Sequence, residues 1–207
     1  MAKPVSSDWK KLVRLARYLK GAPRCVWKFD WQKAEEQSPP KGYSDSDWAG
    51  DRKTGKSTSG GVVMIGQHLV KAWSRTQDAI TLSSAEAELV ALGKLAMEIL
   101  GVRSMCEEWE MSQPSQISDL FADASAALSI AKRQGAGKMR HINVKSLWLQ
   151  EKAVQLLLRY NKIKGEDNPA DGLTKHVRQE LIEKYLQIEN LKIKEDRAGA
   201  SLELAGS

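Results

Sequence analysis

Apolar positions Trp9, Leu12, Val13, Ala16 and Leu19 recur at helical spacing with lysines and arginines opposite. This predicts an amphipathic helix over residues 7–19, capped by Ser7. Gly21-Ala22-Pro23 stops it. Alternation then predicts a strand over 25–31, a polar linker over 32–41 and a short strand over 42–48. A turn over 51–55, a buried strand over 60–66 and its hairpin partner over 68–74 follow. Strands joined this closely must run antiparallel. A long helix over 84–109 is announced by Ser83-Ser84-Ala85-Glu86, a capping box in which Glu86 reaches back to the helix start. Beyond it the pattern predicts a strand at 117–122, a helix at 123–132 and a break at Gly135-Ala136-Gly137. A helix at 142–154, a strand at 156–163 and a last helix at 169–185, with Pro169 in its first turn, complete the series. From residue 42 the order β-β-β-α-β-α-α-β-α describes an α/β fold, a mixed sheet with helices packed on it.

The long helix contains an anomaly. Leu92, Leu95, Ile99, Val102 and Cys106 form an apolar stripe, and one turn earlier the same stripe lands on Glu88. A carboxylate on the face that meets a sheet is costly unless it is paired or binds a cation. Its bland alternative is a fringe carboxylate reaching for water. Three aspartates stand in comparable places. Asp45 lies on a strand, sharing a face with Tyr43 and Asp47. Asp123 ends a strand, where it could equally be an N-cap. Asp171 stands near a helix start, where the helix dipole alone would favour it. Strand ends and helix starts on one rim of an α/β sheet are where sites assemble. Four convergent carboxylates cannot all remain ionised without cations. Hard divalent ions, Mg²⁺ first, are the natural neutralisers, and two ions roughly 4 Å apart suit in-line displacement at phosphorus.

Composition narrows the partners. The 207-residue chain suits one domain with appendages or two small ones. Its net charge of +6 favours a polyanionic partner and, with the carboxylates, phosphodiester hydrolysis. Cys25 and Cys106 form no metal spacing or disulfide framework, pointing to a reducing compartment, and both sit among apolar residues as expected of buried thiols. No apolar run approaches membrane-spanning length and no signal-peptide pattern opens the chain, so no membrane partner is expected. Trp27, Trp73, Trp109 and Trp148 are read as core, and Trp48 as a residue that could face substrate. The basic residues Lys132, Arg133, Lys138, Arg140, His141 and Lys145 flank the Gly135–Gly137 break; they suit phosphate positioning or simply a solvated helix connection.

Five segments resemble a known family in its own order. They are Asp-Ser-Asp-Trp-Ala-Gly (45–50), Ser-Thr-Ser-Gly-Gly (57–61), Ser-Ser-Ala-Glu-Ala-Glu-Leu (83–89), Arg-His-Ile-Asn-Val-Lys (140–145) and Asn-Pro-Ala-Asp-Gly-Leu-Thr-Lys (168–175). Together they resemble the ribonuclease H domain of copia-type LTR retrotransposon Pol polyproteins, from about Trp9 to His176. The resemblance implies a ribonuclease H-like fold, a five-stranded mixed sheet with helices on both faces. It implies an endoribonuclease that cuts the RNA strand of RNA–DNA hybrids during reverse transcription, using two Mg²⁺ ions, with Mn²⁺ a substitute. By motif position the ligands are Asp45, Glu88, Asp123 and Asp171, and substrate contacts fall to Asp47, Ser84, Lys138, Arg140, His141 and Lys145. The implied partner is the reverse transcriptase domain of the same polyprotein, in the cytoplasm, a virus-like particle or the nucleus. Residues 1–38 are then a linker from the polymerase connection region, 39–190 the ribonuclease H domain and 191–207 a disordered tail.

The chain departs from the family pattern in three places. Ala124 follows Asp123 where Asn is frequent, which puts one nucleic-acid contact in doubt. Asn143 replaces a common Asp. The loop 164–168 lacks the histidine of cellular ribonucleases H; His141 belongs to another motif, and His68 and His176 are read as surface or packing residues. An inactive module of the same fold, binding hybrid or bracing the polymerase, is the alternative. Integrase-like nucleases fit poorly, because Glu88 stands in a long helix immediately after a hairpin.

Overall fold

The computed structural model of the protein describes residues 5–31, 38–111, 116–135 and 144–196. In chain order the elements are α1 (Ser6–Gly21), β1 (Arg24–Trp27), β2 (Lys41–Asp47), β3 (Thr58–Ile65), β4 (His68–Thr76) and α2 (Ser84–Glu108). Then come β5 (Ser118–Ala122), α3 (Ser125–Lys132), α4 (Val144–Val154) and β6 (Leu158–Lys162). Two short 3₁₀ turns (Gly165–Asp167 and Pro169–Leu173), α5 (Gln179–Ile188) and β7 (Leu191–Lys194) complete the chain. They fall into two compact units, Met1–Lys28 with Leu191–Ser207, and Phe29–Asn190.

In the first unit, α1 begins one residue earlier than its apolar spacing predicts. The Val5 N–H donates to Asp8 Oδ2 at 3.1 Å, so Asp8 closes the first turn in place of Ser7. No residue of α1 is buried. β1 pairs antiparallel with β7, Cys25 opposite Ile193 and Trp27 opposite Leu191. Residues 191–194, placed by the sequence in a disordered tail, are therefore ladder-bonded strand; residues 197–207 lie outside the described residues. Cys25 and Trp27 are exposed rather than buried, because β1 is short and lies in a two-stranded ribbon.

In the second unit the sheet order is β4-β3-β2-β5-β6. β2, β3 and β4 are antiparallel neighbours, as their short connections require, while β5 runs parallel to β2 and β6 parallel to β5. This order and these directions are the ribonuclease H-like topology. The helical stripe is borne out: Leu92, Leu95 and Ile99 are buried with Val63, Leu120, Leu149 and Tyr160, Val102 packs half-buried against them, and Cys106 is buried. Ser83 caps α2, accepting the Glu86 N–H at 3.2 Å, and Glu86 Oε2 accepts from the Leu82 N–H at 2.7 Å. Arg103, buried in the same helix, donates to Glu107 at 2.6 Å and to the Gln116 carbonyl at 2.8 Å, fastening α2 to the start of β5. Trp73 and Trp148 pack against the core, but Trp109, just past the end of α2, is exposed.

The opposite face is covered differently. A Cβ on Gly60 would lie 2.8 Å from the Ala170 carbonyl oxygen and 2.8 Å from Thr174 Cγ2, so only glycine lets the 169–173 turn lie directly on β3. Asp45 is the cross-strand partner of Gly60 and therefore faces that turn. The single helix expected over 169–185 is replaced by this 3₁₀ turn, an irregular stretch at 174–178 and α5. Asn168 begins the turn with its Oδ1 accepting from the Ala170 N–H at 3.2 Å. Its Nδ2 donates to the Ser44 carbonyl of β2 at 2.9 Å, so a tertiary hydrogen bond, not helix propensity, shapes the segment. Tyr185 of α5 donates its hydroxyl to the Gly165 carbonyl at 3.3 Å, and Lys184 pairs with Asp167 at 2.5 Å. No described helix is long and apolar enough to cross a membrane.

Candidate metal centre

The site forms where the parallel pair β2 and β5 ends on one rim. Their register runs Gly42–Leu120, Tyr43–Phe121 and Ser44–Ala122, so continuing it by one residue brings Asp45 level with Asp123. Tyr43 and Phe121 stack at 5.1 Å directly behind the pair. Asp123 precedes α3 but does not cap it; the N-cap is Ala124, without a side-chain hydrogen bond. The Asp123 backbone carbonyl accepts instead from Lys162 of β6.

Glu88 arrives from the helical layer. It sits one turn inside α2, and its Oε1 accepts the Ser46 N–H at the end of β2 at 3.2 Å. Its Oε2 is buried and, among the described residues, has no hydrogen-bond partner. One carboxylate oxygen from each of Asp45, Glu88 and Asp123 lies within 4.8 Å of the others. Burial, with help from neighbouring carboxylates, pushes Glu88 up to about 8 and Asp45 up to about 6; the Thr174 hydrogen bond and Lys175 moderate the rise at Asp45. An orphaned buried oxygen within a group of mutually repelling carboxylates fits a hard divalent cation.

The fourth expected ligand is placed differently. Asp171, buried in the 169–173 turn, is not part of that group of three; its Oδ1 meets Lys175 Nζ at 2.5 Å. Lys175 also stands 3.9 Å from Asp45 Oδ2, the oxygen to which the Thr174 hydroxyl donates. Asn168, Thr174 and Lys175 are residues of the site that the sequence pattern alone does not single out. The signal was present in Asn-Pro-Ala-Asp-Gly-Leu-Thr-Lys, but a continuous helix there gave no reason to turn Thr174 and Lys175 back toward β2.

Among expected substrate contacts, Ser84 opens α2 and is exposed. Asp47 is half-buried at the end of β2, its carboxylate against Gly50, where Oδ2 leaves no room for a Cβ. Asp47 thus lies against the 48–50 turn and is not in the acidic group. Trp48 donates its indole N–H to the Thr81 carbonyl at 3.1 Å and leaves half its surface open. Lys145 lies on α4, with its side chain outside the described residues, as are Lys138, Arg140 and His141 altogether. Gly165 of the loop that lacks a histidine lies beside Asp123, a Cβ there being 3.3 Å from Oδ2.

No protein-family model matches the chain. It is 28% identical over 177 residues to the Retrovirus-related Pol polyprotein from transposon TNT 1-94 of Nicotiana tabacum, covering 84% of this chain and 13% of that one. It is 29% identical over 178 residues to the corresponding polyprotein from transposon RE2 of Arabidopsis thaliana, covering 84% and 12%. The chain thus spans about an eighth of the polyproteins it matches. Among solved structures, the N-terminal ribonuclease H domain of a Mycobacterium tuberculosis protein is 14% identical, with a TM-score of 0.45, over 72% of this chain and 96% of that one. Sequence likeness to the polyproteins, joined to the observed strand order and acidic rim, makes this a ribonuclease H-like domain related to retrotransposon Pol polyproteins.

Proposed function

We propose that this domain is a divalent-metal-dependent endonuclease that hydrolyses the RNA strand of RNA–DNA hybrids, in reverse transcription of a retroelement. The observation that carries the reading is the Asp45–Glu88–Asp123 group, with a buried Glu88 oxygen that has no hydrogen-bond partner among the described residues. Asp45, Glu88 and Asp123 would hold the cation, with Asp171 completing the set for a second ion. Bound Mg²⁺ would supply Lewis-acid activation of water and relief of charge on the scissile phosphate. The protein's own contribution is positional. The β2–β5 register sets two ligands side by side, the Ser46 N–H orients Glu88, and the Asn168–Ser44 bond holds the Asp171 turn on the sheet.

The basic segment around Lys138 and Arg140 is the candidate grip on the substrate backbone. Replacing both with Ala should weaken hybrid binding and flatten its log–log salt dependence by about 0.9 or less per lost contact. Likeness to Pol polyproteins supports a reverse transcriptase domain as covalent partner. The deciding experiment offers labelled hybrid, duplex RNA and duplex DNA of equal length in a Mg²⁺ titration and maps the ends. Cutting confined to RNA in hybrid, leaving 3′-hydroxyl and 5′-phosphate ends, is expected. Comparable cutting of duplex DNA would indicate a broader nuclease, and tight hybrid binding without cutting a binding module.

A further inference from the structure

Among the described residues, Asp45 and Asp171 both form ion pairs with Lys175, at 3.9 and 2.5 Å. Its ammonium therefore lies against the two carboxylates that come from different layers of the site, one from β2 and one from the 169–173 turn. The arrangement is built rather than incidental. Thr174, the preceding residue, donates to the same Asp45 oxygen, Asn168 ties the turn to Ser44, and Gly60 removes the Cβ that would hold the turn off the sheet. The lysine head is delivered by a segment fixed at both ends, while its side chain remains nearly half exposed to solvent.

A single positive charge is a partial answer to this site. Asp45, Glu88 and Asp123 crowd one another, and Asp171 adds to the field at Asp45. A divalent ion brings twice the charge within oxygen-contact distance and takes several ligands at once, which an ammonium cannot do. Resting on the metal-centre reading above, we propose that Lys175 is the internal counter-cation of the site. It holds Asp45 and Asp171 together until divalent ions take their oxygens, and full loading requires its displacement. Lys175 is thus a positioning residue that sets metal affinity and keeps Asp171 at the site before the metal arrives.

The test measures binding, not cleavage. Mn²⁺ is titrated into the whole chain without nucleic acid, free ion being followed by electron paramagnetic resonance, for wild type, Lys175→Gln and Lys175→Arg. Lys175→Gln should bind Mn²⁺ about tenfold more tightly, as expected for removing a competing charge in a partly solvated site. Its melting temperature without metal should fall, with Mn²⁺ restoring it. Lys175→Arg, which keeps the charge, should bind no more tightly than wild type. Equal or weaker Mn²⁺ binding by Lys175→Gln would overturn the proposal. A measurement on wild type avoids dependence on how the variants fold: labelling of Lys175 by an amine reagent, read by mass spectrometry, should rise severalfold on adding Mg²⁺. The rate at exposed Lys10 should stay constant. No rise at Lys175 would equally overturn it. A protein that passes both tests yet cuts no hybrid would refute the nuclease reading alone; an active nuclease with unchanged labelling would refute this inference alone.

Discussion

Asp119 and Asp123 lie four residues apart at the two ends of β5, and their surroundings are opposite. Asp119 receives both arms of Arg159, at 2.6 and 2.7 Å, and the Asn161 amide at 2.6 Å from the neighbouring strand. Those hydrogen bonds, Arg159 foremost, hold its carboxyl below the usual range. At the other end of the strand, Asp123 joins Asp45 and Glu88 in a group where burial and mutual repulsion push two carboxyls upward. A carboxylate that only serves the fold is supplied with its cation by the chain. Those at the rim are supplied with one another, and must obtain most of their compensation from outside. Asp171 lies between the two cases, buried like Asp45 and Glu88 yet paired with Lys175.

The largest effect expected from this contrast is on chemistry. Asp123→Asn should abolish hybrid cleavage, a loss beyond the ~10–100-fold typical of residues that merely support a metal ligand. The fold should be intact by circular dichroism, and wild-type activity would remove Asp123 from the site. Asp119→Asn in the same assay should retain activity within about twofold, which is the matching control.

Next in size is a pH effect on stability without metal. Glu88 and Asp45 titrate higher in the folded protein, at about 8 and about 6, than in an unfolded chain, where the ordinary values are 4.5 and 3.8. Between those values the native state binds more protons, so stability must fall as pH rises from about 4 to 8, by on the order of a few kcal/mol. Thermal melts in EDTA across that range should show the decline, Glu88→Gln should reduce it to the part that Asp45 and the buried Glu189, raised to about 7, contribute with the same sign, and Mg²⁺ should oppose it. A curve that rises through this window would contradict the assignment of an unpaired, buried Glu88.

Gly60→Ala should cost about 1–3 kcal/mol, the range for forcing atoms into a closed contact, because its Cβ meets the Ala170 carbonyl and Thr174. Denaturant unfolding measures this. A larger fractional loss of activity than of stability would show the turn lifting Asp171 and Lys175 away from β2. The smallest effect belongs to Arg159→Ala. Its pair with Asp119 lies on an exposed face where water screens it, so stability should change little and cleavage not at all.

Much of the architecture was legible because local signals and tertiary packing agree. The Leu92–Leu95–Ile99 stripe, the Ser83–Glu86 cap and the short links between β2, β3 and β4 each specify one geometry. Glu88 stood out because it interrupts that agreement, and the structure places it beside Asp45 and Asp123. The last segment is illegible for the opposite reason. Residues 169–185 have helical spacing, but Asn168 bonds to Ser44, far away in sequence, and Tyr185 bonds back to Gly165. Such partners leave no periodic trace. Nor does spacing reveal that Asp47 turns onto Gly50 while Asp45, on the same strand face, enters the site.

The β1–β7 ribbon has a consequence for the order in which the molecule assembles. Trp27 and Leu191 are ladder partners from nearly opposite ends of the described sequence, so their pairing closes almost the entire chain into a loop. Contacts of such separation form late, after the entropy of bringing the ends together has been offset elsewhere. Two short strands without a third are also only marginally stable by themselves. The ribbon should therefore be the last element to zip and the first to open, with the amides of Cys25 and Ile193 exchanging with solvent well before those of Val62 and Leu120 in the central sheet.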